Sequence, residues 1–277
     1  MAEAPRELSG AWNFRDVSDA VPALSPGRVF RSGELSRLDE QGRATLSRLG
    51  ITDVADLRSA REVARRGPGR VPDGVDIHLL PVPDVGDKGA DDPANGDAGQ
   101  APHEHAFQQL LQREEGLSVD EAAARYMIDE YRQFPTRNGA QRAVRRVVTL
   151  LAAGRTVLTH CFAGKDRTGF VVATVLEAAG VDRDVVVADF LRSNDAVPQL
   201  RAEISEMIRQ RAEAEVTPEV ETFAEARLSD GVLGVREEYL AAAWQTIDGE
   251  FGSLQAYLRD AGLTAADVDR LRAALFT

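Results

Sequence analysis

The chain has 277 residues, of which 43% are hydrophobic, with 45 acidic against 33 basic residues and a formal net charge of −12. Because the acidic residues are spread along the chain, broad attraction to nucleic acid or to an anionic membrane is excluded, and any affinity for phosphate must be local. One cysteine, Cys161, rules out an internal disulfide, and no run of 18 apolar residues offers a membrane span.

In chain order, the N-terminus from Met1 to Glu7 lacks the apolar region of a signal peptide, so composition alone points to the cytoplasm. Short Val-, Ile- and Leu-rich runs predict strands at Arg28–Phe30, Thr52–Leu57, Ile77–Leu80 and Thr156–His160. Between them lie helices with legible ends. Ser36 with Asp39 opens one that closes at Gly50, and Ser59 with Glu62 forms a capping box for another that stops at Gly67. Ser118 with Glu121 begins a third that ends before Pro135, and Asn138 caps a fourth that runs to Gly154. Residues 84–105, rich in Asp and Gly with almost no large apolar side chains, predict a mobile acidic loop that extends to about 118.

After Gly180 the strands stop. Pro198 starts a helical pattern with Leu200, Ile204, Met207 and Ile208 on one face, and Thr217-Pro218 begins the next, carrying Val220, Phe223 and Leu228. Further helices are expected near 235–249, 253–261 and 264–275. Strands alternating with helices predict an α/β fold with a parallel sheet, whose active residues sit at the C-terminal ends of strands. Residues 1–277 are read as one domain.

Cys161 follows such an end. Residues 157–169 read Val-Leu-Thr-His-Cys-Phe-Ala-Gly-Lys-Asp-Arg-Thr-Gly, a β-prone run followed by a loop and a helix-forming stretch. Backbone N–H groups that turn inward before a helix begins hold an anion and favour thiolate over thiol. Arg167, six residues after Cys161, offers a planar fork to two oxygens of a phosphate above the sulfur. A lone cysteine is more often a buried structural thiol, but His160, Gly164, Arg167 and Thr168 around it favour a nucleophile. A Walker A loop does not fit, because Thr159 stands where its first Gly would be and Asp166 follows Lys165.

His-Cys, five residues, Arg and Thr is the pattern of the cysteine-dependent tyrosine and dual-specificity phosphatases, which this chain resembles. Asn13-Phe14-Arg15-Asp16, Phe30-Arg31-Ser32-Gly33-Glu34-Leu35 and Asp56-Leu57-Arg58-Ser59 extend the resemblance, from Trp12 to about Leu275, to a secreted mycobacterial branch of that family. It implies a parallel-sheet phosphatase fold flanked by helices, with no cofactor or metal. Residues 198–229, whose apolar face with Leu200, Met207 and Leu228 would otherwise be read as core, become a two-helix lid over the loop. Export into a host cell without a visible signal, and phosphorylated host proteins as partners, are implied in the same way.

The chemistry expected is a double displacement. Cys161 attacks phosphorus in line and water hydrolyses the cysteinyl phosphate. Arg167 and the N–H groups of Phe162, Ala163, Gly164, Lys165, Asp166 and Arg167 hold the equatorial oxygens. Thr168 donates to the sulfur, and His160 braces the loop. For the acid that protonates the leaving group, the resemblance points to Asp84, otherwise readable as a turn aspartate, with Asp166 as the rival. Lys165 is similar to a loop lysine of phosphoinositide phosphatases, and Asp166 before the Arg is similar to the myotubularin loop, which extends the expected substrates to phosphoinositides. Arg15, Arg58, Arg132 and Arg137 are candidates for outer phosphate contacts or for structural ion pairs. A non-catalytic phosphate-binding module and a rhodanese-like sulfurtransferase are the alternative classes; the intact Cys161 and Arg167 disfavour the first, and the His-Cys start and Arg-Thr end disfavour the second.

Overall fold

A computed structural model describes residues 7–82, 118–212 and 228–276. Five strands form one sheet in the order β1-β2-β5-β3-β4: β1 Arg15–Asp16, β2 Val29–Ser32, β3 Asp53–Asp56, β4 Asp76–Leu79 and β5 Val157–His160. The four longer strands run parallel, and only β1 is antiparallel, paired with β2. Central β5 is buried at every position, because a strand with parallel neighbours on both sides and helices on both faces sees no solvent. All four predicted strands are present within a residue or two of their expected bounds. The unpredicted β1 is too short to show a pattern.

Among the described residues the α-helices are α1 Glu40–Arg48, α2 Ala60–Arg66, α3 Val119–Gln133, α4 Asn138–Ala152, α5 Asp166–Ala179, α6 Arg183–Leu191, α7 Val197–Ala212, α8 Asp230–Leu233, α9 Glu237–Thr246, α10 Leu254–Asp260 and α11 Ala265–Leu275. The capping boxes of Ser59 with Glu62 and Ser118 with Glu121 are both formed. Two expected caps differ. Asp39 itself caps α1 through the Gly42 N–H, so the carboxylate read as the third residue of the helix is its cap, and Ser36 lies outside. Asn138 is the first residue of α4, and Arg137 at its cap position makes no side-chain capping bond.

One large apolar cluster lies between the sheet and helices α3 to α6 and α9 to α11, with Val147, Val157, Phe170, Val171 and Leu271 among its buried residues. A smaller one, around Phe30, Leu46, Val54 and Leu158, covers the opposite face. Rigid packing on both faces fixes the C-terminal end of β5, from which the site is built.

Candidate active site

β5 delivers His160, and α5 begins at Asp166, so Cys161 to Lys165 form a tight loop between a strand end and a helix N-terminus. What shapes this loop is the fate of its carbonyls. Asn13 Nδ2 donates to the Ala163 and Gly164 oxygens at 3.3 and 2.9 Å, and Arg31 Nη2 donates to those of Gly164 and Lys165 at 2.9 and 3.3 Å. The Phe162 oxygen accepts from the Glu34 N–H at 3.0 Å. With the carbonyls drawn outward, the N–H groups on the other edges of those planar peptides face the loop centre. Gly164 N–H donates to Cys161 Sγ at 3.3 Å. Gly164 has φ +71°, and a Cβ there would lie 2.2 Å from the Ser32 oxygen, so only glycine fits this turn.

The tethers are themselves held. Asn13 sits in the left-handed region at φ 53°, which its short polar side chain tolerates, and its Oδ1 accepts from Arg15. Arg15 and Arg31 share buried Asp189 at 2.8 and 2.7 Å. Burial would raise the Asp189 pKa, but the two guanidinium groups outweigh it and hold the carboxyl below its ordinary value. Burial and the neighbouring Arg31 pull Arg15 down to about 10, still charged at neutral pH.

A second buried ladder supports the loop from the β3 side. Arg58 grips Asp56 through Nε at 2.9 Å and Nη2 at 2.6 Å and reaches Glu34 at 3.2 Å, while Arg66 binds both Glu34 oxygens through Nε at 2.7 and 2.6 Å. Arg66 also lies 4.6 Å over the Phe162 ring. At the other end, His160 Nδ1 is 3.2 Å from the Cys161 oxygen and Nε2 is 3.6 Å from Asp56 Oδ2. Burial keeps the His160 pKa below its ordinary value, with Asp56 opposing the shift. His160 Nδ1 thus meets the loop backbone, while Nε2 is buried with no hydrogen-bond partner among the described residues.

Arg167 makes a two-pronged bond to Glu62, at 2.7 and 2.8 Å. Burial would raise the Glu62 pKa, but Arg167 and Ser59 override it and bring it to about 2. Glu62 is legible in the sequence only as the last member of a capping box. Its further use follows from position, since α2 starts at the C-terminal edge of β3, where the loop also lies. Thr168 Oγ1 is buried with no hydrogen-bond partner among the described residues, which leaves its proton free to donate.

Asp166 and Lys165 form a pair at the loop's end. Lys165 Nζ is 2.8 Å from Asp166 Oδ1 and 2.7 Å from Oδ2, and it donates to the Gly234 oxygen at 3.3 Å. Tyr131 hydroxyl donates to Asp166 Oδ1 at 3.1 Å. Asp84 lies outside the described residues. Of the four arginines considered for outer contacts, Arg15 and Arg58 are committed to the buried pairs above, Arg132 bonds Asp129 on the surface at 2.7 Å, and Arg137 bonds Glu130 at 3.2 Å.

The apolar face of α7 rests on the loop rather than on the main core. Leu200 and Ile204 are buried with Trp12, Ala163 and Leu233, and Phe162, Met207 and Leu228 pack against them. Arg66 Nη1 also approaches Met207 Sδ at 3.0 Å. Residues 213–227 of the expected hairpin, including Thr217, Pro218, Val220 and Phe223, lie outside the described residues.

A buried thiol, a guanidinium whose fork is held by Glu62 and loop N–H groups turned inward are the parts that in-line attack on a tetrahedral oxyanion requires. A profile described as "Tyrosine phosphatase family" matches residues 6–277. The chain is 70% identical over 280 residues to the "Triple specificity protein phosphatase PtpB" of Mycobacterium tuberculosis, spanning 98% of this chain and 99% of that protein. It is 31% identical over 264 residues to a putative tyrosine-protein phosphatase of Cupriavidus necator, spanning 94% of this chain and 84% of that protein.

Proposed function

The chain belongs to the tyrosine phosphatase family, and we propose that it hydrolyses phosphotyrosine, phosphoserine, phosphothreonine and phosphoinositide monoesters through a cysteinyl phosphate on Cys161. The observation that carries this reading is the loop itself. Carbonyls tied outward by Asn13 and Arg31 leave the N–H groups around Sγ, and Glu62 holds the Arg167 fork beside them.

Attack by the Cys161 thiolate forms the S–P bond as the P–O bond to the leaving group breaks. The loop N–H groups and Arg167 carry the charge of the three equatorial oxygens. Water then attacks phosphorus, forming a new P–O bond as the S–P bond breaks and passing its proton to the carboxylate left by the acid of the first step. Thr168 Oγ1, buried with no hydrogen-bond partner among the described residues, can donate to the departing sulfur. His160 braces the loop throughout.

The leaving oxygen needs a proton. Asp166 is poorly suited to supply it, because both its oxygens are already engaged by Lys165 and one also accepts from Tyr131. We therefore assign the acid to Asp84, at the position the family resemblance indicates.

The breadth of substrate rests on two supports. The M. tuberculosis relative is named a triple specificity phosphatase, and Lys165 adds a cation at the loop that a second anionic group can use. Export and action on phosphorylated host proteins follow from the likeness to secreted mycobacterial members, and the test is whether the phosphatase is recovered from the medium of intact producing cells. Among the described residues no helix is long and apolar enough to cross a membrane. Activity is tested by turnover on matched phosphotyrosine, phosphoserine and phosphothreonine peptides beside a phosphoinositide panel; activity confined to phosphotyrosine would reject the wider range.

A further inference from the structure

Tyr131 has no place in the double displacement, yet it is wholly buried with its hydroxyl turned toward the phosphate loop. Its ring is fixed by Phe134 and Phe190, which meet it edge-on at 5.0 and 6.0 Å, and by Tyr239 at 5.5 Å. Such packing leaves the hydroxyl one direction, toward Asp166 Oδ1 at 3.1 Å. Burial and the adjacent Asp166 carboxylate keep its pKa well above the ordinary tyrosine value, so it is a proton donor throughout the working range of the enzyme.

The oxygen that accepts from Tyr131 is also one of the two that hold Lys165. Lys165 is itself nearly buried, and it also donates to the Gly234 carbonyl. Two consequences follow for the lysine. The tyrosine fixes the carboxylate, and hence where the ammonium group rests. It also takes up part of the carboxylate's acceptor capacity, so an incoming anion competes with a weakened partner for Lys165.

We propose that Tyr131 is a positioning residue which, acting through Asp166, keeps Lys165 available to substrates that carry a second anionic group beside the scissile phosphate. The inference rests on the reading of Lys165 as a substrate cation given above. A phosphatidylinositol monophosphate has such a group in its phosphodiester, whereas p-nitrophenyl phosphate does not. Removing the hydroxyl leaves the Asp166 carboxylate to Lys165 alone and frees it to rotate. The cost should fall on KM for the first substrate only.

The test is steady-state kinetics of Tyr131→Phe, Lys165→Ala, Asp166→Asn and the double variant Tyr131→Phe with Asp166→Asn. The substrates are a short-chain soluble phosphatidylinositol 3-phosphate and p-nitrophenyl phosphate. Tyr131→Phe keeps the ring and its packing, and a thermal midpoint checks that it folds. The expected result is a rise of about fivefold to tenfold in KM for the lipid, the size of one ordinary hydrogen bond. Activity on p-nitrophenyl phosphate should stay within twofold, and the tyrosine change should have no further effect once Asp166 is Asn. Equal losses on both substrates, or an undiminished tyrosine effect in the double variant, would overturn the inference while leaving Lys165 its role. If Lys165→Ala itself leaves the lipid KM unchanged, the underlying reading of Lys165 fails and the inference falls with it.

Discussion

Replacing Glu62 by Gln removes one charge from the site and leaves a side chain of the same shape. Glu62 binds both Arg167 nitrogens at 2.7 and 2.8 Å and accepts the Ser59 N–H at 2.8 Å, with its side chain only 25% exposed. Its pKa falls from the ordinary 4.5 to about 2. Each pH unit between those values corresponds to about 1.4 kcal/mol, so the charged form contributes about 3 kcal/mol to folding at neutral pH. Because the folded-state pKa is the lower one, that stabilisation is complete above 4.5 and is lost as pH falls from 4.5 toward 2. Urea unfolding of the wild type and Glu62→Gln at a series of pH values should therefore differ by about 3 kcal/mol at pH 7. The gap should narrow by about 1.4 kcal/mol per pH unit below 4.5. Arg167, without the Glu62 carboxylate on its fork, should lose orientation, and kcat/KM should fall about a hundredfold. A phosphate-like oxyanion should raise the variant's midpoint more than the wild type's, since it replaces the missing charge. A gap that is independent of pH, or an Arg167 that works as well without Glu62, would refute this account of how the cation is held.

Asp84→Asn should slow turnover of phosphoserine far more than that of an activated aryl phosphate, whose leaving group needs little protonation; equal losses would make Asp84 structural. Asp166→Asn, measured on the same two substrates, should show no such selectivity, and a strong bias against phosphoserine would return the acid to the loop. Leu200→Ser with Met207→Gln loosens the apolar face that lies against Phe162 and Ala163, so peroxide should inactivate the lone thiol faster while the thermal midpoint changes little. An unchanged inactivation rate with a large fall in midpoint would mean that α7 is ordinary core.

Local signals carried much of this molecule. The Val-Leu-Thr-His run before Cys161 marked the central strand, and Ser59 with Glu62 and Ser118 with Glu121 marked helix starts, because each pattern is complete within a few residues. What escaped reading joins residues far apart in the chain. Asn13 and Arg31 hold carbonyls more than 130 residues away, so the Asn-Phe-Arg-Asp and Phe-Arg-Ser-Gly segments carry the resemblance without disclosing their physical purpose. Arg58 reads as an ion-pair residue ahead of an outer phosphate contact, and that reading holds, but the sequence does not show that its partners are Asp56 and Glu34 in the interior. Likewise the apolar stripe through Leu200 and Ile204 reads as core from its pattern alone, and only the fold shows that its neighbours are Trp12, Phe162 and Ala163. Asp39 shows the same limit on a smaller scale, since a carboxylate three residues after a serine satisfies two capping schemes and only the Gly42 N–H decides between them.

The central claim is that phosphate passes through the sulfur of Cys161, and rapid-quench mass spectrometry of the enzyme in its first turnover tests it most directly. With a phosphotyrosine peptide in excess, the account predicts that the proteolytic fragment carrying Cys161 gains one phosphoryl group within the burst and loses it as substrate is exhausted. The Cys161→Ser variant should bind the same peptide and release no phosphate. Full turnover with no phosphoryl group on that fragment at any time, or a serine variant within tenfold of the wild-type rate, would contradict it.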